Sequence, residues 1–126
     1  MPTLTSPIYA ADWLKYEAGS DYSRDTALIA AGSGQLVSGT VLAQLTASGK
    51  YAPAAASGSD GSQTAVAILL KPVDATSADA PAVIVARHAI VSHAGLTYGS
   101  TITDAPKRAA ANAQLKAAGI VVREGA

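Results

Sequence analysis

The sequence predicts an α+β fold that is mainly β, with one C-terminal α-helix and an extended N-terminal arm. Three apolar runs rich in Val, Ile and Leu, at residues 40–46, 64–70 and 82–91, are bounded by Gly, Ser, Asp or Pro, as strands are. A segment of strong helix formers follows near the C-terminus. Four of the six aromatic rings precede residue 32. We therefore predict an arm over 1–31 and a β-rich domain over 32–126.

The composition predicts a hydrophobic core built from small side chains. The 126 residues suffice for one domain with one core. Hydrophobic residues make up 49%, yet Phe and Cys are absent and much of that fraction is alanine. Each alanine buries little apolar area, and burial stabilises by only about 25 cal/mol per Å². Such a core favours oligomerisation or docking on a partner.

Charge and cysteine usage exclude several classes of partner and site. Nine basic and nine acidic side chains balance without a long run of either sign, so we expect neither a nucleic-acid nor a membrane partner. Without cysteine there is no disulfide framework and no thiolate metal site. No signal-like leader and no apolar run of about 18 residues occurs. We expect a soluble protein that is made in the cytoplasm and is not exported.

The arm carries aromatic rings at helical spacing. Tyr9, Trp13 and Tyr16 would lie on one face of a helix, although Pro2 and Pro7 interrupt the segment. Two interpretations stay open. The rings could fold back onto their own domain, or they could anchor an interface, as Tyr and Trp do at low entropy cost.

A short apolar segment at 27–31 closes the arm. It contains Ala27, Leu28 and Ile29 and is followed by the turn residues 32–34. An extended strand here could pair with the domain's own sheet or add to the sheet edge of a neighbour. The sequence does not choose between these two pairings.

The first two strands of the domain have readable faces and turns. By the period of two, Val41, Ala43 and Leu45 share one face of the strand at 40–46. Residues 47–50 predict a hairpin turn with Gly49 at positive φ, and Tyr51 begins the return. Residues 52–63 predict a loop. The strand at 64–70 is nearly continuous in apolar character, which indicates cover on both faces.

The third strand is the longest that the sequence predicts. A polar connection at 73–81 precedes it, and it runs over 82–91. Arg87 and His88 interrupt its apolar character, and we interpret them as the place where one face meets water.

The C-terminal segment predicts a helix and then a strand. Asp104 suits the N-cap, Pro106 the first turn and Gly119 the stop, so the helix spans about 105–118. A strand at 120–122 should return to the sheet. The predicted burial face of the helix consists of Ala111, Leu115 and Ala118.

Catalytic signatures are missing from the sequence. His88 and His93 are the only histidines, and their odd spacing puts them on opposite faces of a strand, whereas metal sites need three or four converging ligands. No serine lies in a nucleophile elbow, and residues 32–34 lack the context of a phosphate-binding loop. We therefore predict no catalytic residue, no cofactor and no metal, which leaves a binding or structural domain.

Several turn and strand motifs together resemble one family. The runs GTVLA at 39–43, GKYAP at 49–53 and SDGSQTAVAIL at 59–69 are similar to those of the phage head decoration proteins, the lambda gpD-like family. The resemblance continues in order through 23–26, 82–85 and 113–122. It covers the chain from Trp13 to the C-terminus.

The resemblance implies a structural role in a virion. Such proteins have a small β-clip barrel, assemble as homotrimers on the outer surface of the expanded capsid, and cement it against the pressure of packaged DNA. It also implies synthesis in the host cytoplasm and an arm that contacts the major capsid protein. The residues that we predict for this contact are Tyr9, Trp13, Leu14, Tyr16, Ala27, Leu28 and Ile29.

Two alternatives come from other functional classes. The β-clip fold resembles that of trimeric dUTP-hydrolysing enzymes, which use an aspartate-centred magnesium site. Here Asp60, Asp74, Asp79 and Asp104 lie in predicted turns without the accompanying motifs. A surface adhesin or glycan-binding module would instead need clustered aromatic residues on the β domain, which has only Tyr51 and Tyr98.

Overall fold

The computed structural model describes residues 13–17, 24–55, 58–87, 89–92, 95–99 and 101–123, with 15–17 described by their backbone. Ten strands and one helix lie in these residues. In chain order they are β1 Leu14–Glu17, β2 Arg24–Ile29, β3 Gly34–Leu36, β4 Val41–Gln44, β5 Tyr51–Pro53, β6 Ala65–Leu69, β7 Val73–Ala75, β8 Ala80–Val85, β9 Ala89–Ser92, α1 Ala105–Ala117 and β10 Ile120–Arg123. The predicted α+β class, mainly β with a C-terminal helix, is confirmed.

Five strands close into a small barrel in the order β2-β5-β4-β6-β8. The strand β4 lies antiparallel to both β5 and β6. The predicted hairpin is confirmed: Gln44 pairs with Tyr51 across the turn, and Gly49 has a φ of 73°. The return strand extends to Pro53, so the predicted loop at 52–63 begins later than expected.

Two smaller sheets flank the barrel. One has the order β1-β9-β10, in which β9 is antiparallel to β1 and parallel to β10. The other pairs β3 with β7, so the polar connection predicted at 73–81 contains a short strand. Because β7 has only three residues, it carries too few apolar positions for its period to show in the sequence.

The prediction of one strand over 82–91 was wrong. Its first part belongs to β8 of the barrel, and its last part forms β9 of the three-stranded sheet. Between them the Nη2 of Arg87 lies 2.5 Å from the Oδ2 of Asp25 in β2. The chain leaves the barrel at this exposed ion pair, which stands where apolar contacts would continue the strand. The sequence did not show the change of sheet, because both strands are rich in β-branched residues.

Buried side chains form two clusters rather than the single core that was predicted. One lies within the barrel and includes Ile29, Leu42 and Ile84. The other lies between the barrel, the three-stranded sheet and the helix, and it includes Trp13 and Leu115. Successive residues of β4 enter different clusters, because side chains alternate between the faces of a strand.

The helix has the ends that the sequence predicts. The Oδ1 of Asp104 accepts a hydrogen bond of 2.9 Å from the backbone N–H of Lys107, which caps the first turn. Gly119 follows the last turn with a φ of 93°. Ala111 and Leu115 are buried, and Ala118 is half-buried.

Both described strands before residue 31 belong to sheets of the domain. The strand β1 pairs with β9, and β2 pairs with β8 over six residues. The arm boundary at residue 31 remains a prediction, but these pairings place 14–17 and 24–29 within the folded unit.

Candidate functional site

Trp13 is held in the interior. Its side chain is 0% exposed, and its Nε1 donates a hydrogen bond of 2.9 Å to the Oγ of Ser38. The same hydroxyl donates to the carbonyl oxygen of Leu70 over 2.7 Å. The expectation that Trp13 contacts a partner directly therefore needs correction: this conformation leaves the ring no free surface. It packs back onto its own domain, which was the alternative interpretation.

The other aromatic positions of the predicted site are placed only in part. Leu14 is half-buried and packs against the cluster that holds Trp13. The backbone of Tyr16 pairs with Ile90. Tyr9 lies outside the described residues. Of these residues, Leu14 alone has a described side chain with surface left for a partner.

The strand β2 presents its three predicted residues in different ways. Ile29 is 0% exposed and lies in the barrel cluster, and Ala27 packs against that cluster. Leu28 points the other way and is 45% exposed. Its partner across the ladder is Pro81, which is also exposed. Of the three, Ile29 acts as a core residue, and Leu28 presents an apolar surface to solvent.

Among the described strands, one edge of β2 is paired over only a small part of its length. The barrel closes there through a single parallel pair, Ile29 with Tyr51, and the N–H of Ala30 donates to the carbonyl oxygen of Tyr51 over 2.8 Å. By the period of two, the backbone groups of Thr26 and Leu28 face the same edge as those of Ala30. Among the described strands, Thr26 pairs only with Val83 of β8. An edge of this kind can receive an extended segment of another chain.

Charged groups lie at the end of the barrel beside this edge. Asp25 and Arg87 form the ion pair already described. Burial raises the pKa of the Tyr51 hydroxyl, the Asp25 carboxylate raises it further, and the Arg87 guanidinium opposes both. Sequence reasoning missed this cluster, because 62 positions separate Asp25 from Arg87 and only the pairing of β2 with β8 brings them together.

Three of the four aspartates considered above for a nucleotide-hydrolysing enzyme are engaged in local structure. Asp60 accepts from the hydroxyl and the N–H of Ser62, and these hydrogen bonds lower the pKa of its carboxyl. Asp74 accepts from Thr76 in the same way, with the same effect on its pKa. Asp104 caps the helix. These carboxylates stabilise three separate turns.

Neither a metal cluster nor a bilayer span is found in the part of the chain that the structure describes. Within it, no three His, Cys, Asp or Glu residues are grouped so that they could hold an ion. The same residues include no helix long and apolar enough to cross a bilayer. His88 and His93 lie outside the described residues.

Comparison with known proteins places the chain in a family. A search of curated proteins gives no match. Comparison with protein families matches residues 3–120 to the family described as Bacteriophage lambda head decoration protein D. This match covers nearly the whole chain, including most of the segment before Trp13. The chain therefore belongs to the bacteriophage lambda head decoration protein D family, whose members are phage head decoration proteins.

Proposed function

We propose that this decoration protein binds the outer surface of the expanded phage head as a homotrimer and cements the shell against the pressure of packaged DNA. The observation that carries the proposal is the family match over residues 3–120. In this role the protein is structural rather than catalytic, its location is the virion, and its partner is the major capsid protein. It is made in the host cytoplasm before it joins the head.

Trimeric assembly would strengthen a weak contact. A threefold trimer presents three copies of each binding surface to the shell, so binding of the second and third copies becomes intramolecular once the first is bound. Each contact can then be modest. The exposed side chain of Leu28 and the short unpaired edge of β2 could each make a contact of modest affinity.

The proposed capsid contact combines the N-terminal segment with β2. Tyr9, Leu14, Tyr16, Ala27 and Leu28 remain its candidate residues. Leu28 is the best placed of them, because its apolar side chain is exposed beside backbone groups that can pair with a capsid strand. The buried Trp13 and Ile29 act indirectly, by fixing β1 and β2 to the domain.

Two measurements test this proposal on the full chain. Sedimentation equilibrium should give three times the chain mass of 12.5 kDa. Binding to expanded heads of the phage prepared without this protein should weaken by about three- to tenfold per contact for Leu28→Ser, because Leu28 is 45% exposed and burying the rest contributes roughly half of the about 1.5–3 kcal/mol of a whole leucine. Thr26→Ser changes the same exposed strand face by one methyl group and serves as the matched control.

Three results would contradict the proposal. A chain that stays monomeric at all concentrations would contradict the proposed trimer. Failure of the unaltered protein to bind heads would contradict the cementing role. Equal binding by the Leu28→Ser and Thr26→Ser variants would remove β2 from the contact.

A further inference from the structure

One dipeptide of the chain is chemically reactive. Asp60 is the only aspartate that is followed by glycine. Because glycine has no side chain, its nitrogen meets little hindrance when it attacks the carboxyl carbon of the preceding aspartate. A C–N bond forms, and the carboxyl hydroxyl leaves as water with the proton of the glycine N–H, which closes a succinimide ring. Water then reopens the ring either to aspartate or to isoaspartate, in which the main chain runs through the side-chain carboxyl carbon.

The fold requires glycine at the second position of this pair. Gly61 has a φ of 102°, which residues with a side chain rarely adopt. A methyl group added there would overlap the carbonyl oxygen of Gln44 and lie 2.8 Å from the Oγ1 of Thr46. A bulkier residue would slow the attack on Asp60, but it does not fit. The reactive pair therefore follows from the close approach of this loop to β4.

The native loop holds both reacting groups away from ring closure. The N–H of Gly61 donates a hydrogen bond of 3.0 Å to the Oε1 of Gln63. The carboxylate of Asp60 accepts from the hydroxyl and the N–H of Ser62, over 2.5 and 3.1 Å, so it is directed past the nitrogen that would attack it. These bonds lower the pKa of the carboxyl, and the ionised form has no hydroxyl to release as water.

The backbone around the pair is also held in place. The N–H of Thr46 donates to the carbonyl oxygen of Asp60 over 2.9 Å, which joins the loop to the turn after β4. From the helix, the Nε2 of Gln114 donates to the carbonyl oxygen of Gln63 over 3.1 Å. Ring closure changes the backbone at Asp60 and Gly61, so the loop must first leave these partners.

We propose that Asp60–Gly61 is the site at which this protein forms isoaspartate, and that the side chains of Ser62 and Gln63 protect it in the native state. Modification is then limited to the molecules in which the loop is open. Isoaspartate at position 60 lengthens the main chain by one methylene group and displaces the carbonyl oxygen that Thr46 binds, which loosens the loop from β4. The proposal does not rest on capsid binding.

Peptide mapping of the aged full chain tests the site. After storage in mildly acidic buffer at physiological temperature, electron-transfer fragmentation of the tryptic peptides locates isoaspartate. Gln63→Ala removes the acceptor of the Gly61 N–H and should raise the rate about two- to tenfold, the rate equivalent of one hydrogen bond. Ser62→Ala releases the carboxylate and should have an effect of the same size. Ser59→Ala is the matched control, because it removes an exposed hydroxyl of the same loop that binds neither reacting group, and it should leave the rate unchanged.

Urea separates protection by the fold from the intrinsic reactivity of the sequence. In the unfolded chain the rate at Asp60 should exceed the native rate, and the variants and the unaltered protein should then react equally fast, because the loop has lost its hydrogen bonds. Three results would each overturn the proposal: isoaspartate that forms first at another aspartate, equal rates in the folded and unfolded protein, and native rates that stay unchanged in both Gln63→Ala and Ser62→Ala.

Discussion

The indole Nε1 of Trp13 donates a hydrogen bond of 2.9 Å to the Oγ of Ser38, a residue 25 positions later in the chain. Both side chains are 0% exposed. The serine hydroxyl in turn donates a hydrogen bond to the carbonyl oxygen of Leu70. One buried hydroxyl therefore joins the start of β1, the loop before β4 and the end of β6, and it holds the N-terminal strand against the domain.

Ser38→Ala should destabilise the fold by about 1–3 kcal/mol, because it leaves the Trp13 N–H and the Leu70 carbonyl buried without this partner. Urea denaturation followed by the fluorescence of the single tryptophan measures the change. Ser33→Ala is the control, since the Ser33 hydroxyl makes one partly buried hydrogen bond to Ala30. Equal losses for the two variants would contradict the proposed role of Ser38.

Gly39→Ala should cost more than Gly32→Ala. Both glycines have positive φ, 93° and 87°, so both variants carry a backbone penalty of about 1–2 kcal/mol. An added methyl group meets nothing within 4 Å at Gly32, but at Gly39 it would lie 2.7 Å from the carbonyl oxygen of Gly95 and close to Trp13. The free energies of unfolding of the two variants differ by the steric cost at Gly39. A difference near zero would contradict the prediction, because it would mean that the residues around Trp13 move to make room for the methyl group.

Gln114→Ala should loosen the helix from the barrel. The Gln114 Oε1 accepts from the N–H of Ala65 over 2.8 Å, and its Nε2 donates to the carbonyl oxygen of Gln63. We expect a loss of about 1–3 kcal/mol, because Ala65 is fully buried and its N–H loses this acceptor. Gln44→Ala makes the same chemical change at an exposed site with one hydrogen bond, to Gly49, and should cost clearly less.

Protonation of the Asp79 carboxylate should lower the free energy of unfolding in acid. Its carboxylate accepts from Lys50 and from the N–H of Ala31, and these interactions, the one with Lys50 first, lower its pKa in the folded state. A depressed folded pKa contributes stability above the unfolded value of about 3.9, and that contribution is lost as pH falls through the folded pKa.

Asp79→Asn should therefore reduce the loss of stability below about pH 4, as measured by urea denaturation across pH. Added salt should weaken the stabilisation that comes from the Lys50–Asp79 ion pair, because this pair is exposed and salt screens its charges. An identical pH dependence in the variant and the unaltered protein would remove Asp79 from the acid response.

Local sequence signals predicted the parts of the fold that depend on near neighbours. The helix is recognisable because Asp104, Pro106 and Gly119 each meet a backbone requirement within a few residues. The β4–β5 hairpin is recognisable because Gly49 supplies the positive φ of its turn. In contrast, β3 and β7 are too short for periodicity to reveal them.

The candidate site was predictable as a set of side-chain types but not as a surface. Apolar character marks Trp13, Leu28 and Ile29 equally in the sequence. The pleat of β2 turns Leu28 outward and Ile29 inward, and which face is covered depends on β8 and on the closure of the barrel. No signal near Trp13 in sequence points to Ser38.

By itself the sequence determined the mainly β class, the helix with both of its ends, and the motifs that resemble the decoration proteins, because turn geometry and capping act between residues a few positions apart. Only the tertiary structure decided that residues 82–91 divide between two sheets and that Trp13 lies inside. Both outcomes depend on contacts across 25 or more positions, between Trp13 and Ser38 and between Asp25 and Arg87. Such contacts leave no local pattern in the sequence, because the partner of each polar group is decided by which residues the topology brings near it.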